Sequence, residues 1–288
     1  MLLGVHLTRF VGTAAPAPIA ATLEDFAQRV EDIGVHSVWP MDQLRQIPLF
    51  GEPSDPVLEP YSLLSWLAAR TRRIQLGVLV TAGSYRHSAI LAKTVSTLDV
   101  LSGGRAWLGV GASWGSDDDV EAGIPLPARN ERYGRLEELL RTCNAYFRGD
   151  PINSPIPLRR PPVLIAGSGE RRTLPLVAKY ADASNFLERI GIDEITRKLD
   201  VLAAHCANAD RDYGDILKTT FGRLGERDVP RAVDRFGSLA DAGVDLVMVD
   251  VPDPTDESAY DYLSELVEAL APLGRPLPTR LRQITTCS

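Results

Sequence analysis

Polar and glycine-rich segments follow the short apolar runs of this chain at regular intervals, and these segments carry the residues that could do chemistry. If the runs are strands of one parallel sheet, every such segment lies at the carboxyl edge, where α/β enzymes place their active sites. The segments are His6–Arg9, Trp39–Gln43, Thr81–Arg86, Gly111–Gly115, Gly167–Arg172 and Asn185.

The residue types in these segments argue against catalysis by side chains alone. They contain no carboxylate pair, and none of the four histidines has HxH or HExxH spacing. The three cysteines are scattered without a CxxC pair, which argues against a disulfide framework and against a thiolate metal site. We therefore expect no metal, and chemistry that belongs to a bound organic cofactor.

The segment Gly167, Ser168 and Gly169 is the best candidate for an anion site. Glycines let the backbone approach a phosphate closely, and a helix predicted from about Glu170 would direct free N–H groups toward it. Arg171 and Arg172 add positive charge. The alternative is an ordinary turn between a strand and a helix that happens to use glycine.

The segment Gly111–Gly115 matches the GxSxG pattern of a serine hydrolase, but its surroundings do not fit. A nucleophile elbow needs a helix that starts at the serine, whereas the next predicted helix begins near residue 129. The only histidine downstream is His205, inside a predicted helix. The pattern does not indicate a serine nucleophile.

The elements that position these segments alternate strictly between strands and helices. Eight units of this kind predict a parallel sheet closed into a single (β/α)8 TIM barrel, with an open, doubly wound sheet as the alternative. The predicted strands are Leu2–His6, His36–Trp39, Ile74–Val80, Arg105–Val110, Val163–Ala166, Ala183–Phe186, Lys218–Phe221 and Asp245–Val249. The predicted helices span about 22–33, 59–70, 88–101, 129–147, 170–179, 193–209, 230–241 and 257–271.

Length and composition fit one barrel domain over residues 1–274, followed by a C-terminal tail over 275–288. The 288 residues are 44% hydrophobic, and the net charge of −7 gives no electrostatic footprint for nucleic acid or an anionic membrane. No apolar run reaches the roughly 18 residues of a spanning helix. We expect a cytoplasmic enzyme for a small-molecule substrate, with a homodimer as a candidate assembly.

Four stretches of the chain resemble the luciferase-like monooxygenase superfamily, and among its branches they are most similar to the coenzyme F420-dependent oxidoreductases. The resemblance lies within residues 35–186, and beyond residue 190 the match is only one of general pattern. The four stretches are Leu91–Arg105, Leu108–Trp114, Glu131–Glu138 and Val163–Leu174.

The resemblance implies a bacterial-luciferase-like barrel with a deazaflavin (coenzyme F420) or a flavin (FMN) lying across its mouth. It implies a cis peptide between Leu79 and Val80, an aspartate at the polar edge of the ring, and a glycine loop at the phosphate. The cofactor-binding residues would be Asp42, Leu79, Val80, Thr81, Gly111, Ala112, Gly167, Ser168 and Gly169.

Two residues depart from the pattern of the family. Many deazaflavin relatives have histidine where this chain has Gln43, and because glutamine cannot transfer a proton, that role would pass to His6, Tyr85 or water. Trp114 replaces the glutamate of the sugar-phosphate dehydrogenases, which disfavours that substrate class. The substrate pocket would be formed by Trp39, Gln43, Tyr85 and Trp114.

The function predicted from the sequence is hydride transfer between coenzyme F420 and a small organic substrate. The first alternative is an FMN-dependent monooxygenase that uses reduced flavin and oxygen, because one fold can serve both cofactors. The second is a cofactor-binding protein without activity, since Gln43 replaces a common catalytic histidine.

Overall fold

The computed structural model describes residues 1–10, 18–112, 121–124, 127–251 and 253–285. Within them, nine parallel strands form one sheet in the order β3-β2-β1-β9-β8-β7-β6-β5-β4. The strands are β1 Leu2–Leu7, β2 Ser37–Pro40, β3 Gln75–Leu76, β4 Thr81–Ala82, β5 Leu108–Gly111, β6 Val163–Ala166, β7 Ala183–Leu187, β8 Leu217–Gly222 and β9 Leu246–Asp250.

Helices pack on the outside of this sheet. Helix α1 shows the pattern, because Leu23, Phe26 and Val30 recur at helical spacing and are fully buried. The helices of the described residues are α1 Ile19–Ile33, α2 Pro60–Ala68, α3 Ser88–Ser102, α4 Arg129–Phe147, α5 Thr173–Tyr180, α6 Ile192–Asn208, α7 Val229–Asp241, α8 Glu257–Leu270 and α9 Thr279–Thr285.

The sheet closes through the third barrel strand, which the sequence predicted as one continuous strand from 74 to 80. That prediction is wrong in detail, since the strand is divided into β3, which pairs with β2, and β4, which pairs with β5. Leu76 of β3 completes the ring: its N–H donates to the Arg105 carbonyl at 2.9 Å, and its carbonyl accepts from Trp107 N–H at 2.8 Å. The predicted eight-position barrel is confirmed.

Two glycines show why the third strand is interrupted. A Cβ on Gly77 would lie 2.3 Å from the Trp39 ring, and one on Gly109 would lie 2.0 Å from the Val78 carbonyl oxygen. Only glycine lets the indole and this carbonyl come so close. Beyond this point the Leu79–Val80 peptide bond is cis, as the resemblance implied.

Helix α1 begins three residues before the predicted start at about residue 22. Pro18 has φ −56° and ψ 123°, and its carbonyl accepts from Thr22 N–H at 3.2 Å, so the helix starts at Ile19. The proline ring fixes its φ near this value, which suits the residue that precedes the first helical turn.

The amino-terminal end of the barrel is closed by the C-terminal segment. Helix α9 lies within the 275–288 segment that was expected to be a tail, and its Leu281 is buried against the barrel interior. Arg280 pairs with the buried Asp182 at 2.7 Å. Leu281 belongs to the same apolar cluster as Trp107, Leu164, Leu217 and Leu246, which lie within one residue of the starts of their strands. The C-terminal segment therefore covers the amino-terminal end of the strands.

Part of the family-like stretch that ends at Arg105 has a structural role. The guanidinium of Arg105 is buried and donates only to neutral groups, in five hydrogen bonds of 2.7–3.1 Å. These groups follow the ends of α2 and α3, so the arginine ties both helices to the start of the next strand. The acceptors are the Ser102, Ile74, Ala68 and Thr71 carbonyls and the Thr71 hydroxyl.

Candidate functional site

The mouth of the barrel is formed where the strands end, and it includes residues that the sequence analysis did not select. His6 is in register with Trp39 of β2 and with Asp250 of β9. Its ring meets that of Phe221 in an edge contact with centroids 4.6 Å apart. Phe221 and Asp250 end or directly follow predicted strands 7 and 8, so reading those strand ends as the other six were read would have found them.

Asp42, at the end of β2, is buried and fully engaged. Its Oδ2 accepts from Arg86 Nη1 at 2.5 Å and from Ala82 N–H at 3.1 Å, while its Oδ1 accepts from Arg86 Nη2 at 3.1 Å. Arg86 also donates to Glu59 at 2.6 Å. Asp42 was expected to bond the polar edge of a cofactor ring, but each carboxylate oxygen already holds at least one protein donor.

Burial and pairing act in opposite directions on this pair. Burial raises the pKa of Asp42, and the hydrogen bonds and charge of Arg86 oppose that rise. Burial also lowers the pKa of Arg86, but the hydrogen bonds to Asp42 and Glu59 and the charge of Asp42 together outweigh burial and leave that pKa raised. The two charges stabilise each other, and the ion pair fixes the β4–α3 connection against the end of β2.

Thr81 is held from below by α2. Its hydroxyl lies 2.6 Å from that of Tyr61, and both residues are buried. Burial raises the pKa of the Tyr61 phenol, which therefore stays protonated. Gln43 and Tyr85, both selected from the sequence, are half-buried on this side of the mouth, and the Tyr85 N–H donates to Ala82 O at 3.1 Å.

His6 lies on β1, the strand next to β2, and is 4% exposed. Its Nε2 lies 3.0 Å from the Leu79 carbonyl oxygen, and Nδ1 has no hydrogen-bond partner among the described residues. The rings of Phe50 and Phe221 meet the imidazole at centroid distances of 5.7 and 4.6 Å. Burial lowers the pKa of His6 from 6.5 to about 4, so the ring is neutral at physiological pH.

The β2–α2 loop carries Phe50 and is attached to neighbouring strands. Gln46, which is buried, donates to the Thr8 carbonyl at 2.9 Å. Arg223, just after β8, donates to the Leu49 carbonyl at 2.7 Å and pairs with Asp250 at 2.9 Å. These contacts hold Phe50 against His6.

The glycine segment after β6 forms a tight loop before α5. Gly167 has φ +127°, and its N–H donates to the Asn185 carbonyl at 3.0 Å. The Gly169 carbonyl accepts from Thr173 N–H at 2.8 Å, so the helix begins at Thr173 and not at Glu170 as predicted. The residues before this later start form a turn in which the Ser168 and Gly169 N–H groups have no acceptor among the described residues.

The charged residues after this loop face different neighbours. Glu170 turns toward α6, where it pairs with Arg197 at 2.6 Å and with Lys198. These hydrogen bonds lower the pKa of Glu170 to about 2. Arg171 and Arg172 remain exposed, and the Arg172 guanidinium lies 5.2 Å from the centre of the Tyr133 ring. The loop therefore presents positive charge with backbone donors, which suits a phosphate.

The floor between the loop and Asp42 is lined by glycine backbone. A Cβ on Gly111 would lie 3.0 Å from Val80 Cγ2, and one on Gly83 would lie 3.4 Å from the Gly111 carbonyl. Ala112, next to Gly111, is half-buried, and Trp114 lies outside the described residues. A closely packed backbone surface beside an anion loop fits a flat ring with a phosphate tail.

The described residues contain neither a cluster of metal ligands nor a membrane-spanning helix. No group of three or more His, Cys, Asp or Glu side chains there could hold a metal ion. No helix in the same residues has the length and apolar composition needed to cross a bilayer.

Comparison with known proteins assigns this architecture. A family model described as luciferase-like monooxygenase matches residues 1–225. An uncharacterised protein of Mycobacterium tuberculosis is 28% identical over 275 residues, which is 89% of this chain and 94% of the relative. An F420-dependent glucose-6-phosphate dehydrogenase of Amycolatopsis mediterranei is 32% identical over 176 residues, which is 55% of this chain and 50% of that enzyme.

Solved structures share the fold at lower sequence identity. An F420-dependent secondary alcohol dehydrogenase, solved with an F420–acetone adduct, superposes with a TM-score of 0.77 at 14% identity, over 93% of this chain and 98% of that one. Structures of this fold include both F420-dependent enzymes and a monooxygenase bound to FMN. The fold is therefore shared by enzymes with either cofactor.

Proposed function

The chain belongs to the luciferase-like monooxygenase family, and from this membership we propose that it transfers a hydride between coenzyme F420 and a small organic substrate. Membership makes it an F420- or FMN-dependent oxidoreductase or monooxygenase. The choice of F420 is supported by one observation above all: the curated dehydrogenases that match this chain at 31–34% identity are named as F420-dependent.

Different residues of the mouth would hold the phosphate, the ring and the ring edge of this cofactor. The N–H groups of Ser168 and Gly169, with Arg171 nearby, would bind the phosphate. The ring would lie on the Val80–Thr81 backbone and beside Gly111, whose missing Cβ lets the Val80 side chain pack closely against it. Asp42 would act on the ring edge as an ion pair with Arg86 and not as a free carboxylate.

A bound deazaflavin supplies a ring carbon that gives or accepts a hydride, and its reduced form reacts sluggishly with oxygen. The protein has then to hold the reacting carbon of the substrate at about 3–3.5 Å from that ring carbon and to exclude water. Gln43, half-buried beside Asp42, would orient the substrate by hydrogen bonding without exchanging a net proton.

The alternative is an FMN-dependent monooxygenase that consumes oxygen. Its support is the family description and the FMN-bound enzyme among the solved structures of this fold. Fold alone does not select a cofactor.

Titration of the protein with F420 and with FMN, followed by two assays, separates these functions. We expect tighter binding of F420, and oxidation or reduction of F420 by a substrate under anaerobic conditions. Turnover only with reduced FMN, with one oxygen consumed per substrate, would establish the monooxygenase. Bound F420 with no turnover of any substrate would indicate a cofactor-binding protein without activity.

The glycine loop has its own test in Ser168→Asp. A like charge placed against a phosphate in a partly desolvated site should cost on the order of 2 kcal/mol, so F420 affinity should fall by more than tenfold. Ser168→Ala is the matched control, and it should bind F420 as the wild type does, since the proposed donors are backbone groups. Equal affinity of the aspartate variant would remove the loop from the site.

A further inference from the structure

The tautomer of His6 is fixed by its neighbour. A carbonyl oxygen only accepts hydrogen bonds, so Nε2, at 3.0 Å from the Leu79 oxygen, carries the proton. Nδ1 is therefore the nitrogen with the free lone pair, and it lies on the side of the ring away from Leu79. A buried acceptor with no partner among the described residues is rare. Either a ligand donates a hydrogen bond to it, or the folded protein bears the free-energy cost of leaving it unpaired.

The His6 ring is flanked by aromatic side chains, and the carboxylate in register with it is paired. Phe50 and Phe221 meet the imidazole edge-on. Asp250, in register with His6, is occupied by Arg223 at 2.9 Å and by Leu224 N–H at 2.9 Å. An anionic or cationic substrate would meet apolar walls here, whereas an uncharged one would fit them.

The arginines around the mouth are likewise committed to carboxylates. Among the described residues, Arg9 pairs with Asp55 at 3.2 Å, Arg86 with Asp42, and Arg223 with Asp250. The cations that remain exposed, Arg171 and Arg172, belong to the loop assigned to the cofactor phosphate. This part of the mouth thus offers one acceptor and no spare cation.

We propose that Nδ1 of His6 is the group that accepts the hydroxyl proton of the substrate, and that the substrate is an uncharged alcohol. The inference rests on the proposed F420-dependent hydride transfer. As the alcohol is oxidised, its carbinol C–H bond breaks and the hydride, with the electron pair, goes to oxidised F420. The O–H bond breaks, its proton goes to Nδ1, and the C=O bond of the aldehyde or ketone forms.

The charge balance of this step suits a buried imidazole. Burial keeps His6 neutral before reaction and so keeps the acceptor free. Hydride transfer adds negative charge to the cofactor ring, and an anion beside the imidazolium stabilises the proton on Nδ1. Release of the product then lets the proton leave to water.

A second histidine provides the control. Like His6, His36 has an Nδ1 without a partner among the described residues, and burial lowers its pKa to about 4. It directly precedes β2, at the opposite end of the barrel from the mouth. Any effect of an alcohol on His6 should be absent from His36.

The first experiment observes binding without turnover. Nitrogen NMR of isotope-labelled histidines would be recorded on protein loaded with reduced F420, which cannot take a hydride from an alcohol. Isopropanol, cyclohexanol and benzyl alcohol are the probes, and cyclohexyl methyl ether, which has no hydroxyl donor, is the matched control. We expect at least one alcohol to shift the Nδ1 resonance of His6, with no shift from the ether and none at His36.

The second experiment removes the base and keeps the donor. In His6→Gln the amide N–H₂ takes the place of the donor to the Leu79 carbonyl, while the basic imidazole lone pair is replaced by an amide oxygen, which can accept a hydrogen bond but cannot take up a proton. Loss of a general base lowers kcat by about 100-fold or more, whereas F420 affinity should stay at the wild-type value. His36→Gln should keep both wild-type affinity and wild-type turnover.

The outcomes separate this inference from the proposed function. If F420 binds but no alcohol of the series shifts His6, or if the ether shifts it equally, the assignment of His6 is overturned. Wild-type turnover of an alcohol by His6→Gln would also overturn it. If F420 itself fails to bind to the wild-type protein, the proposed function fails first.

Discussion

The two sides of the barrel mouth satisfy their polar groups in different ways. On the paired side, Asp42, Arg86 and Glu59 form a chain of ion pairs, and every oxygen of Asp42 has a donor. On the aromatic side, His6 stands between Phe50 and Phe221 with one nitrogen bonded and one free. The paired side is complete without a ligand, and the aromatic side is not.

This difference assigns the two sides different tasks. A buried network whose polar groups are all hydrogen-bonded holds its strands and helices in one arrangement, and it does not need a ligand to satisfy those groups. An unpartnered buried acceptor costs about 1–3 kcal/mol in the free protein, and a substrate hydroxyl would recover part of that cost. We therefore assign positioning to the paired side and proton acceptance to the aromatic side.

The largest expected effect is on the paired side, in Arg86→Met. Asp42 would be left as a buried carboxylate without its cation, which should lower the free energy of unfolding by about 3–5 kcal/mol. Urea denaturation at neutral pH measures it. Arg171→Met, which removes an exposed arginine, should change stability by less than about 0.5 kcal/mol, and the double variant Asp42→Asn with Arg86→Met should recover part of the loss. Equal stability of Arg86→Met and Arg171→Met would show that the ion pair between Asp42 and Arg86 does not stabilise the fold.

The next effect concerns the aromatic side and pH. His6 has a pKa of about 4 when folded and 6.5 as its ordinary value, so below pH 6.5 the unfolded chain binds the proton that the folded chain refuses. The free energy of unfolding therefore has its full value, as far as His6 is concerned, above pH 6.5. It falls by on the order of 3 kcal/mol as the pH decreases toward 4.

His6→Gln should therefore flatten the decline of stability between pH 6.5 and pH 4. Urea denaturation of both proteins across this range measures the difference, with His36→Gln as the comparison for a buried histidine outside the mouth. Parallel curves for the wild type and His6→Gln would mean that His6 is not held neutral by burial.

A smaller effect is expected from Tyr61→Phe, again on the paired side. The change leaves the buried Thr81 hydroxyl without its 2.6 Å partner and should cost about 1–2 kcal/mol in the free energy of unfolding. Tyr262→Phe is the matched control, because the Tyr262 hydroxyl is buried without a partner among the described residues and its loss should be neutral or stabilising. The same cost in both variants would contradict the role of the hydroxyl pair.

The smallest effect should come from Arg223→Gln, which loosens the aromatic side from outside. Arg223 is 54% exposed in its side chain, so its pair with Asp250 should contribute less than about 1 kcal/mol to stability. Its bond to the Leu49 carbonyl holds the loop that carries Phe50. Hydrogen exchange of residues 46–51 should become faster, and unchanged exchange would show that other contacts hold the loop.

The sequence determined the outline of this protein because that outline depends on local pattern. Segments with helical periodicity alternate strictly with short apolar segments, and this pattern predicts eight strand–helix units. The structure confirms these units within a few residues at each end. Since parallel strands end at one edge, the sequence also located the mouth and the glycine loop after β6. These inferences need only neighbours along the chain.

The contacts that decide the chemistry join residues far apart in the chain, and only the tertiary structure decided them. Arg86 lies 44 residues from Asp42, and the Leu79 carbonyl lies 73 residues from His6. Phe221 reaches His6 from the other half of the chain. No periodicity records which donor meets which acceptor, because that depends on how the strands close into a ring. The same closure split the third strand and left Nδ1 of His6 without a partner among the described residues.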